Sequence, residues 1–417
     1  MTVQTLRKSA KQAFLLGVKA ADPALALTHA LQKRPLPALD GGKYLVISVG
    51  KAACKMAQAA LAALPDGSDF SALAVTNYEN ITDIEGVRVL GAAHPVPDAQ
   101  GLAAANQVMA LLASAGKSDV VLSLVSGGSS ALLPAPVRGI SLADKSRVNE
   151  VLLTRGLDIT SMNLVRQSLS RLKGGGLLRL AKPANVRCYI LSDVLGDDLR
   201  VVGSGPGVGP IGTLAQARDL LIATGNFDKM PQTVQTYLQT AENPAAELAP
   251  EATLIGSNAQ SLAAMAKAAK ATRMPDPLVG DVRAAAKRII AEVKSHAKKA
   301  PFALAYGGET TVELTGNGKG GRNQELALWV AKYAQEAGVS GPWCFLSGGT
   351  DGRDGPTDAA GGVVDEKTLQ RILNAEESID KLLKNNDSYE ALKLSGDLLM
   401  TGATGTNVAD LQLFMRG

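Results

Sequence analysis

The feature that most constrains this chain is one arrangement that recurs along it. An apolar, strand-like run ends in a turn of small polar residues, and a helical pattern often follows. The runs that end in this way are residues 44–49, 120–125, 186–191, 253–255, 302–306 and 343–346. Continuous apolar strands that alternate with helices are typical of a parallel sheet covered on both faces. The sequence therefore predicts an α/β fold, with ligands bound by the turns beyond the carboxyl ends of the strands.

The length of 417 residues suits two domains. A helix-like segment gives way to the next strand-like run near Glu242-Asn243-Pro244. We therefore predict one domain over residues 1–243, built on a parallel sheet, and a second α/β domain over residues 244–417.

Composition excludes several classes of protein. The net charge is +4, the basic residues are dispersed and aromatic residues make up 4% of the chain, which argues against a nucleic-acid partner. No run approaches the roughly 18 apolar residues that span a membrane. Leu6, Ala10, Phe14 and Val18 fall on one helical face, so the N-terminus is interpreted as an amphipathic helix rather than a signal sequence.

The three cysteines are widely spaced, which disfavours a zinc site and fits a reducing cytoplasm. Cys188 and Cys344 lie in apolar runs and are expected in the core. The sequence is compatible with a homo-oligomer and does not fix the oligomeric state.

The glycine-rich segment 316–325 combines features of an anion site. Its glycines allow backbone N–H groups to converge, and the helix that follows adds free donors. Lys319 and Arg322 place positive charge at the same turn, and Asn323 adds an amide. A tight strand-to-helix turn with two solvated charges explains the same pattern, so both interpretations stay open at this point.

An acidic, glycine-rich loop follows at residues 347–358. Asp351, Asp354 and Asp358 could present oxygen ligands to a hard cation, although acidic surface loops are often only solvated. A basic anion turn followed by an acidic cation loop is the combination that phosphoryl transfer requires.

Two turns in the first half carry similar chemistry. Lys51 follows Gly50 at a strand end and opens a helix, which favours contact with a phosphate, although a solvated lysine is an equally weighted alternative. The segment Ser126-Gly127-Gly128-Ser129-Ser130 offers backbone and hydroxyl donors at a second strand end, or simply caps the next helix. No Walker pattern surrounds Lys51.

A second acidic cluster contains Asp193, Asp197 and Asp198, and its carboxylates are candidates for a cation or for a helix cap. Upstream lies a basic, glycine-rich turn with Arg166, Arg171, Lys173 and residues 174–176. The spacing does not decide whether this turn meets a substrate carboxylate, a phosphate or Asp193. His94 precedes a proline in a rigid connector.

In order along the chain, these motifs resemble those of the type II glycerate kinases. The N-terminal matches are Gly-Lys-Ala-Ala (50–53), His-Pro-Val-Pro-Asp (94–98), Ser-Gly-Gly-Ser-Ser-Ala-Leu-Leu (126–133), Leu-Ser-Arg-Leu-Lys-Gly-Gly (169–175), Ser-Asp-Val-Leu-Gly-Asp-Asp (192–198) and Ser-Gly-Pro (204–206). Matches to the family's C-terminal MOFRL domain are Gly-Gly-Glu (307–309), Gly-Gly-Arg-Asn-Gln-Glu (320–325), residues 349–361 and Thr-Gly-Thr-Asn-Val (404–408).

The resemblance implies ATP-dependent phosphorylation of D-glycerate to 2-phosphoglycerate, with Mg²⁺ or another divalent cation, in a cleft between a Rossmann-like domain and the MOFRL domain. The proposed active-site lysine and arginine of the family map onto Lys51 and Arg322, and Asp351 is our candidate for orienting the hydroxyl or the metal. We expect substrate or phosphate contacts from Ser126, Gly127, Gly128, Ser129, Ser130, Lys173, Lys319 and Asn323. We expect metal ligation by Asp193 and Asp198.

Three departures from the family pattern bear on these assignments. Gly207-Val208-Gly209-Pro210 stands where the family usually has Thr-Val-Pro-Asp, so a hydroxyl and a carboxylate are missing. Ser168 replaces a frequent histidine, and Ala403 replaces a usual proline.

Two other functions compete with the kinase. Some family members are labelled hydroxypyruvate reductases, but this chain has no glycine fingerprint for a nicotinamide dinucleotide. A non-catalytic binder of sugar acids or nucleotides is the third hypothesis.

Overall fold

The computed structural model describes residues 1–154, 156–244, 251–296 and 301–417. They form two compact units, Pro23–Ile255 and Met1–Asp22 with Gly256–Gly417. The α/β prediction is confirmed, because both units are built from a sheet with helices packed on it. The predicted limits 1–243 and 244–417 remain a prediction of domain organisation. The compact units differ from them chiefly in the first helix, α1 (Val3–Ala20), which belongs with the C-terminal unit.

The unit Pro23–Ile255 contains a six-stranded sheet. Its strands are β1 (Tyr44–Val49), β2 (Phe70–Asn77), β3 (Val87–Ala92), β4 (Val120–Val125), β5 (Asn185–Leu191) and β6 (Glu251–Gly256). Their order is β3-β2-β1-β4-β5-β6, which is the order of the Rossmann sheet. The β3/β2, β2/β1, β1/β4 and β4/β5 pairs are parallel. The strand order reverses between β1 and β4, where such sheets open a crevice for ligands.

Every residue of β1 and of β4 is buried, as the continuous apolar runs predict for central strands covered on both faces. The helices of this unit are α2 (Pro23–Lys33), α3 (Ala53–Leu61), α4 (Ala99–Ala113), α5 (Ser129–Leu132), α6 (Leu142–Thr154), α7 (Ile159–Ser168), α8 (Gly176–Ala181), α9 (Leu214–Ala223) and α10 (Gln232–Thr240). Leu45 and Val121 share one core cluster with Val108 of α4.

The sheet of the other unit is mixed. Its strands are β7 (Thr272–Arg273), β8 (Leu278–Asp281), β9 (Phe302–Thr311), β10 (Trp343–Gly349), β11 (Gly361–Asp365), β12 (Leu398–Leu399) and β13 (Asp410–Arg416). The order is β12-β11-β10-β13-β9-β7, and β8 also pairs with β9. Both β9 and β10 are antiparallel to β13, which lies between them. They therefore end at the same edge, and β13 begins there.

The further helices of this unit are α11 (Asn258–Ala269), α12 (Val282–His296), α13 (Arg322–Glu336), α14 (Thr368–Asn374), α15 (Ile379–Lys384) and α16 (Ser388–Ser395). The amphipathic first helix is confirmed, since α1 buries Leu6, Ala10, Phe14 and Val18. These side chains share a core cluster with α11 and with β13. Gly17 lets α1 approach closely, because a Cβ there would lie 2.9 Å from Leu411 Cδ1.

Cys188 and Cys344 are buried and not disulfide-bonded, which confirms their predicted place in the core. Within the described ranges, no single helix is both long and apolar enough to cross a membrane. Helices α1 and α2 reach that length and composition only when they are counted together across a bend.

Candidate functional site

The turns after β1 and β4 bind each other where the strand order of the first sheet reverses. Lys51 N donates to Gly127 O over 2.9 Å, and Ala52 N donates to Ser126 Oγ over 3.1 Å. Gly50 has a φ of +127°, and a Cβ there would lie 2.2 Å from Ser126 Oγ. Only glycine permits this close approach, which holds Lys51 beside the 126–130 loop.

Residues that follow β3 and β5 also lie beside Lys51 and the 126–130 loop. A Cβ at Gly128 would lie 3.3 Å from both His94 Nε2 and Lys51 Cγ. A Cβ at Gly127 would lie 2.2 Å from Asp193 Oδ2. The two glycines thus bring a lysine, a histidine and an aspartate together at the carboxyl ends of four parallel strands.

The electrostatics of this group reflect its partial enclosure. Burial raises the pKa of Asp193, and the positive charge of Lys51 opposes that rise. Partial burial and Lys51 lower the pKa of His94, which keeps its ring neutral near pH 7. Asn80 Nδ2 donates to Lys51 O over 2.9 Å and fixes the backbone at the lysine. The arrangement offers a cation, a carboxylate and a neutral proton acceptor.

The 126–130 loop also reaches a second lysine. Ser130 Oγ and Ser130 O each accept a hydrogen bond of 2.6 Å from Lys173 Nζ. Ser126 and Ser129 are buried, and Ser126 Oγ is bound to the backbone of the β1 turn. The predicted phosphate-binding role of residues 126–130 and Lys173 stays a prediction.

The two predicted metal ligands have different surroundings. Asp193 lies beside Lys51, as described above, whereas both carboxylate oxygens of Asp198 accept from Arg200, over 3.0 and 2.7 Å. This hydrogen bonding lowers the pKa of Asp198. In the part of the chain that the structure describes, no three His, Cys, Asp or Glu side chains are grouped to hold a metal ion. Metal ligation by these aspartates stays a prediction.

In the C-terminal unit, Arg322 begins α13 and pairs with two carboxylates. Arg322 Nε and Nη2 donate to Asp410 over 2.6 and 3.0 Å, and Nη1 lies 3.1 Å from Glu309 Oε1. Burial disfavours the charged guanidinium, but the two carboxylates outweigh it and raise the pKa of Arg322. The Arg322 side chain is 36% exposed while that of Asp410 is fully buried, so a buried carboxylate anchors a guanidinium whose side chain keeps an exposed side.

Asp351 lies at the same edge. A Cβ at Gly349 would lie 3.2 Å from Asp351 Oδ1 and 3.6 Å from Asp410 Oδ1. Asp351 Oδ1 accepts from Arg353 N over 3.0 Å, which fixes the carboxylate within its own turn. The structure therefore brings the two predicted catalytic residues of this unit, Arg322 and Asp351, to one place.

The glycine-rich turn has other partners than a ligand. Its backbone N–H groups donate to the segment Asn385–Asp387: Gly316 to Asn386 Oδ1, Asn317 to Asn385 Oδ1, Gly318 to Asn385 O, and Lys319 to Asp387 Oδ1. The Lys319 ammonium lies 4.7 Å from the centre of the Tyr389 ring. These four backbone donors are therefore engaged within the protein.

Asn323 is also engaged internally. Its side chain donates to Asp354 Oδ1 over 3.3 Å and accepts from Ser347 Oγ over 2.6 Å, and the residue is 1% exposed. Asp354 accepts from the backbone of Asn323 and Gln324 and so caps α13. Phosphate binding by Asn323 and Lys319 stays a prediction, which these contacts do not favour.

Comparison with known proteins identifies the family. The model of a family described as "Domain of unknown function (DUF4147)" matches residues 9–239, and the model of the MOFRL family matches residues 302–410. A D-glycerate 2-kinase of Thermotoga maritima is 39% identical, over 98% of each chain. The chain belongs to the glycerate kinase family with a MOFRL domain.

A solved structure and a further relative extend the comparison. A crystal structure of a glycerate kinase from Thermotoga maritima superimposes with a TM-score of 0.90 at 37% identity and covers 99% of this chain and 100% of that one. A protein of Agrobacterium vitis with a provisional hydroxypyruvate reductase name is 38% identical over 99% of this chain and 94% of its own.

In this glycerate kinase family member, the atypical segment 207–210 is buried at Gly207 and Val208 and reaches the surface at Pro210. A Cβ at Gly207 would lie 2.4 Å from Cys188 Sγ, whereas one at Gly209 would meet nothing within 4 Å. Glycine at 207 is therefore explained by its contact with Cys188.

Sequence reasoning missed Asp410 and Glu309, the partners of Arg322. Asp410 is the first residue of its strand, so the pattern of polar residues after strand ends does not include it. Glu309 lies within β9, in the Gly-Gly-Glu motif that carried part of the family resemblance. That motif was the one available signal for it.

Proposed function

We propose that the protein transfers the γ-phosphoryl group of ATP to the C2 hydroxyl of D-glycerate and forms 2-phosphoglycerate and ADP. The observation that carries this proposal is the meeting of Lys51, Asp193 and the Gly127-Gly128 turn at the reversal point of a Rossmann-order sheet. Such points bind nucleotides and phosphates in other α/β proteins. The Thermotoga maritima relative is named for the same reaction class.

Phosphoryl transfer depends on positioning and on neutralising charge that spreads over the transferred oxygens. Lys51 is the cation that we assign to those oxygens in the first unit. We assign to His94, whose pKa is lowered beside Lys51, the role of accepting a proton from the hydroxyl. The absence of side chains at Gly127 and Gly128 makes room for Asp193, His94 and Lys51, and we assign the backbone N–H groups of this turn to a phosphate.

A divalent cation would supply further charge neutralisation between the phosphates. Mg²⁺ in kinases commonly takes one or two carboxylates together with phosphate oxygens and water, so the hard oxygens of Asp193 fit it. Asp198 is already paired with Arg200, which donates to both of its oxygens, so its charge is less available to a cation than that of Asp193.

In the C-terminal unit, we assign the open side of Arg322 to an oxyanion of the substrates and Asp351 to orienting the hydroxyl or the metal. We further propose that both units act on the same bound substrates in a cleft between them. In that case, Lys51→Met and Arg322→Met remove parts of one transition state, and their effects on kcat/KM should be strongly non-additive. Effects that multiply would contradict a shared cleft.

The proposal is tested with purified protein, D-glycerate and Mg-ATP, with ADP followed by a coupled assay. We expect turnover that requires a divalent cation and that falls by about 10²-fold or more in Lys51→Met, since a charge-stabilising group is lost. Lys117→Met, which removes an exposed lysine from the same unit, is the matched control. Consumption of NADH or NADPH with hydroxypyruvate, without ADP formation from glycerate, would contradict the proposal.

A further inference from the structure

Three cations of the first unit lie together in its interior. Lys145 on α6 and Lys173, just before α8, are 7% and 5% exposed. Arg166 on α7 is half-buried. We call these three residues the basic cluster. Within the described ranges, none of them forms an ion pair with a carboxylate. Besides burial, the charges that lower the pKa values of Lys145 and Lys173 belong to other members of the cluster.

The polar contacts of the basic cluster are all to neutral groups. Lys145 Nζ donates to Leu169 O over 3.3 Å, and Lys173 Nζ donates to both oxygens of Ser130 over 2.6 Å. Arg166 Nε donates to Asn149 Oδ1 over 2.9 Å. Hydrogen bonds to neutral oxygens offset part of the cost of removing a cation from water, but they leave its charge uncompensated.

The charges in the cluster act on one another. Burial, then Arg166, lowers the pKa of Lys145 to about 8. Burial, then Lys145 and Arg166, lowers the pKa of Lys173 well below its ordinary value. Such interactions require the three side chains to lie close together in a poorly hydrated place. Cationic groups with strongly lowered pKa values in one place are a common sign of a functional site.

Other charged groups on the surrounding elements have their hydrogen-bond or ion-pair partners outside the cluster. These pairs are Asp144 with Ser141, Arg147 with Glu150, Asp158 with Ser161, Arg171 with Pro136 and Asn106, Arg179 with Gly174, Arg200 with Asp198, and Arg218 with Asp219. Arg138, in the loop before α6, is exposed.

The cluster adjoins the candidate active site through one short loop. Ser130, which binds Lys173, ends the 126–130 loop whose Gly127 binds Lys51. Ser130 Oγ also lies 3.1 Å from Ser204 Oγ, and Ser204 Oγ donates to Asn163 Oδ1 over 2.5 Å. Ser130 and Arg166 are half-buried, so they are more accessible than the two lysines.

We propose that the basic cluster, together with Ser130, binds the carboxylate of the hydroxy-acid substrate. The assignment rests on the proposed function. The carboxylate would lie close to Lys51 by way of the 126–130 loop, and the hydroxyl would react beside Lys51. Both lysines are buried, so a small anion suits the cluster better than a triphosphate chain. An anion compensates the three charges that the described protein leaves unpaired.

Binding of a carboxylate has a signature that a structural role lacks. A negative charge beside Lys145 and Lys173 raises the pKa values of both lysines, so the protein must take up protons near pH 8. We would measure this by titration calorimetry with D-glycerate at pH 8 in two buffers of different ionisation enthalpy. We expect proton uptake with D-glycerate and neither binding nor uptake with glycerol, which lacks the carboxylate.

The variants Lys145→Met and Arg166→Met remove one charge each while keeping an unbranched side chain. We expect D-glycerate to bind each of them about 10- to 100-fold more weakly, with less proton uptake, and the KM for ATP to stay unchanged. Lys173→Arg, which keeps the charge, should retain measurable binding. Lys117→Met is the exposed control and should behave as the wild type.

Three outcomes separate the possibilities. D-glycerate binding and proton uptake that are equal in Arg166→Met, Lys145→Met and wild type would overturn the inference, whatever the kinase activity. Cluster-dependent uptake with inorganic phosphate but not with D-glycerate would also overturn it, because the site would then take phosphate. Cluster-dependent uptake with D-glycerate in a protein that makes no ADP would support the carboxylate site and refute the kinase proposal.

Discussion

Replacing Asp410 by asparagine tests how Arg322 is held. The fully buried Asp410 accepts two hydrogen bonds from Arg322, of 2.6 and 3.0 Å. Asparagine has nearly the same volume, but its amide must place an N–H group against the guanidinium. One charge-assisted acceptor is then lost and the other becomes neutral.

The magnitude follows from these two bonds. A hydrogen bond to a charged group contributes about 1.5–3 kcal/mol, but the Arg322 side chain is 36% exposed and keeps its contact with Glu309. We therefore expect Asp410→Asn to lower the free energy of unfolding by about 2–4 kcal/mol. Because Arg322 becomes free to turn, kcat/KM for D-glycerate should fall by about 10²-fold.

The assay pairs urea unfolding with steady-state kinetics at a temperature where the variant is folded. Asp380→Asn is the matched control, since Asp380 is an exposed carboxylate that pairs with Lys332 and should contribute less than about 1 kcal/mol. Asp410→Asn protein that is folded and keeps kcat/KM within about threefold of the wild type would refute the argument that Asp410 positions Arg322.

Three further predictions concern the two sites and their supports. Gly127→Ala should displace Asp193, because Asp193 Oδ2 lies 2.2 Å from the added Cβ, and should therefore reduce kcat. Gly209→Ala should leave kcat unchanged, because its Cβ meets nothing within 4 Å. Equal kcat in both variants would contradict the close contact between Gly127 and Asp193. Asn386→Leu removes the acceptor of Thr315 N and Gly316 N and should lower the free energy of unfolding in urea by about 3 kcal/mol. A decrease below about 1 kcal/mol would argue against the role of Asn386 in holding this turn. Burial raises the pKa of Asp354 to about 6, above the value of about 3.9 in the unfolded chain. Folding then binds protons between these values, so the unfolding free energy of wild type relative to Asp354→Asn should fall by about 2 kcal/mol from pH 4 to pH 7. A constant difference would contradict this.

The first site was predictable because its geometry follows from one rule. Parallel strands end at one edge of a sheet, so the polar turns with Lys51, Ser126 and Asp193 had to lie near one another. The sequence could not show which of these turns touch. The close approach of Gly127 to Asp193 depends on packing between strands that are far apart in the chain.

The second site followed a different geometry, and the same rule found only part of it. Asp410 begins an antiparallel strand, so it reaches the edge from the opposite direction. The glycine-rich turn was correctly placed before a helix. Its N–H groups are engaged by Asn385–Asp387, and nothing in the spacing of the turn indicates partners that distant in the chain.

Lys145 gave no signal at all in the sequence. It occupies a polar-looking stretch of α6 next to Asp144, Ser146 and Arg147, where a lysine is expected to be solvated. Only the packing of α6 and α7 shows that this ammonium is buried.

Product analysis with the wild type and Lys51→Met tests the central claim most directly. The protein is incubated with D-glycerate and Mg-ATP, and the product is examined by ³¹P NMR, which separates 2-phosphoglycerate from 3-phosphoglycerate. We predict 2-phosphoglycerate in amounts equal to the ADP formed, with little or none from Lys51→Met and normal amounts from Lys117→Met. Formation of 3-phosphoglycerate, or full turnover by folded Lys51→Met, would contradict the account.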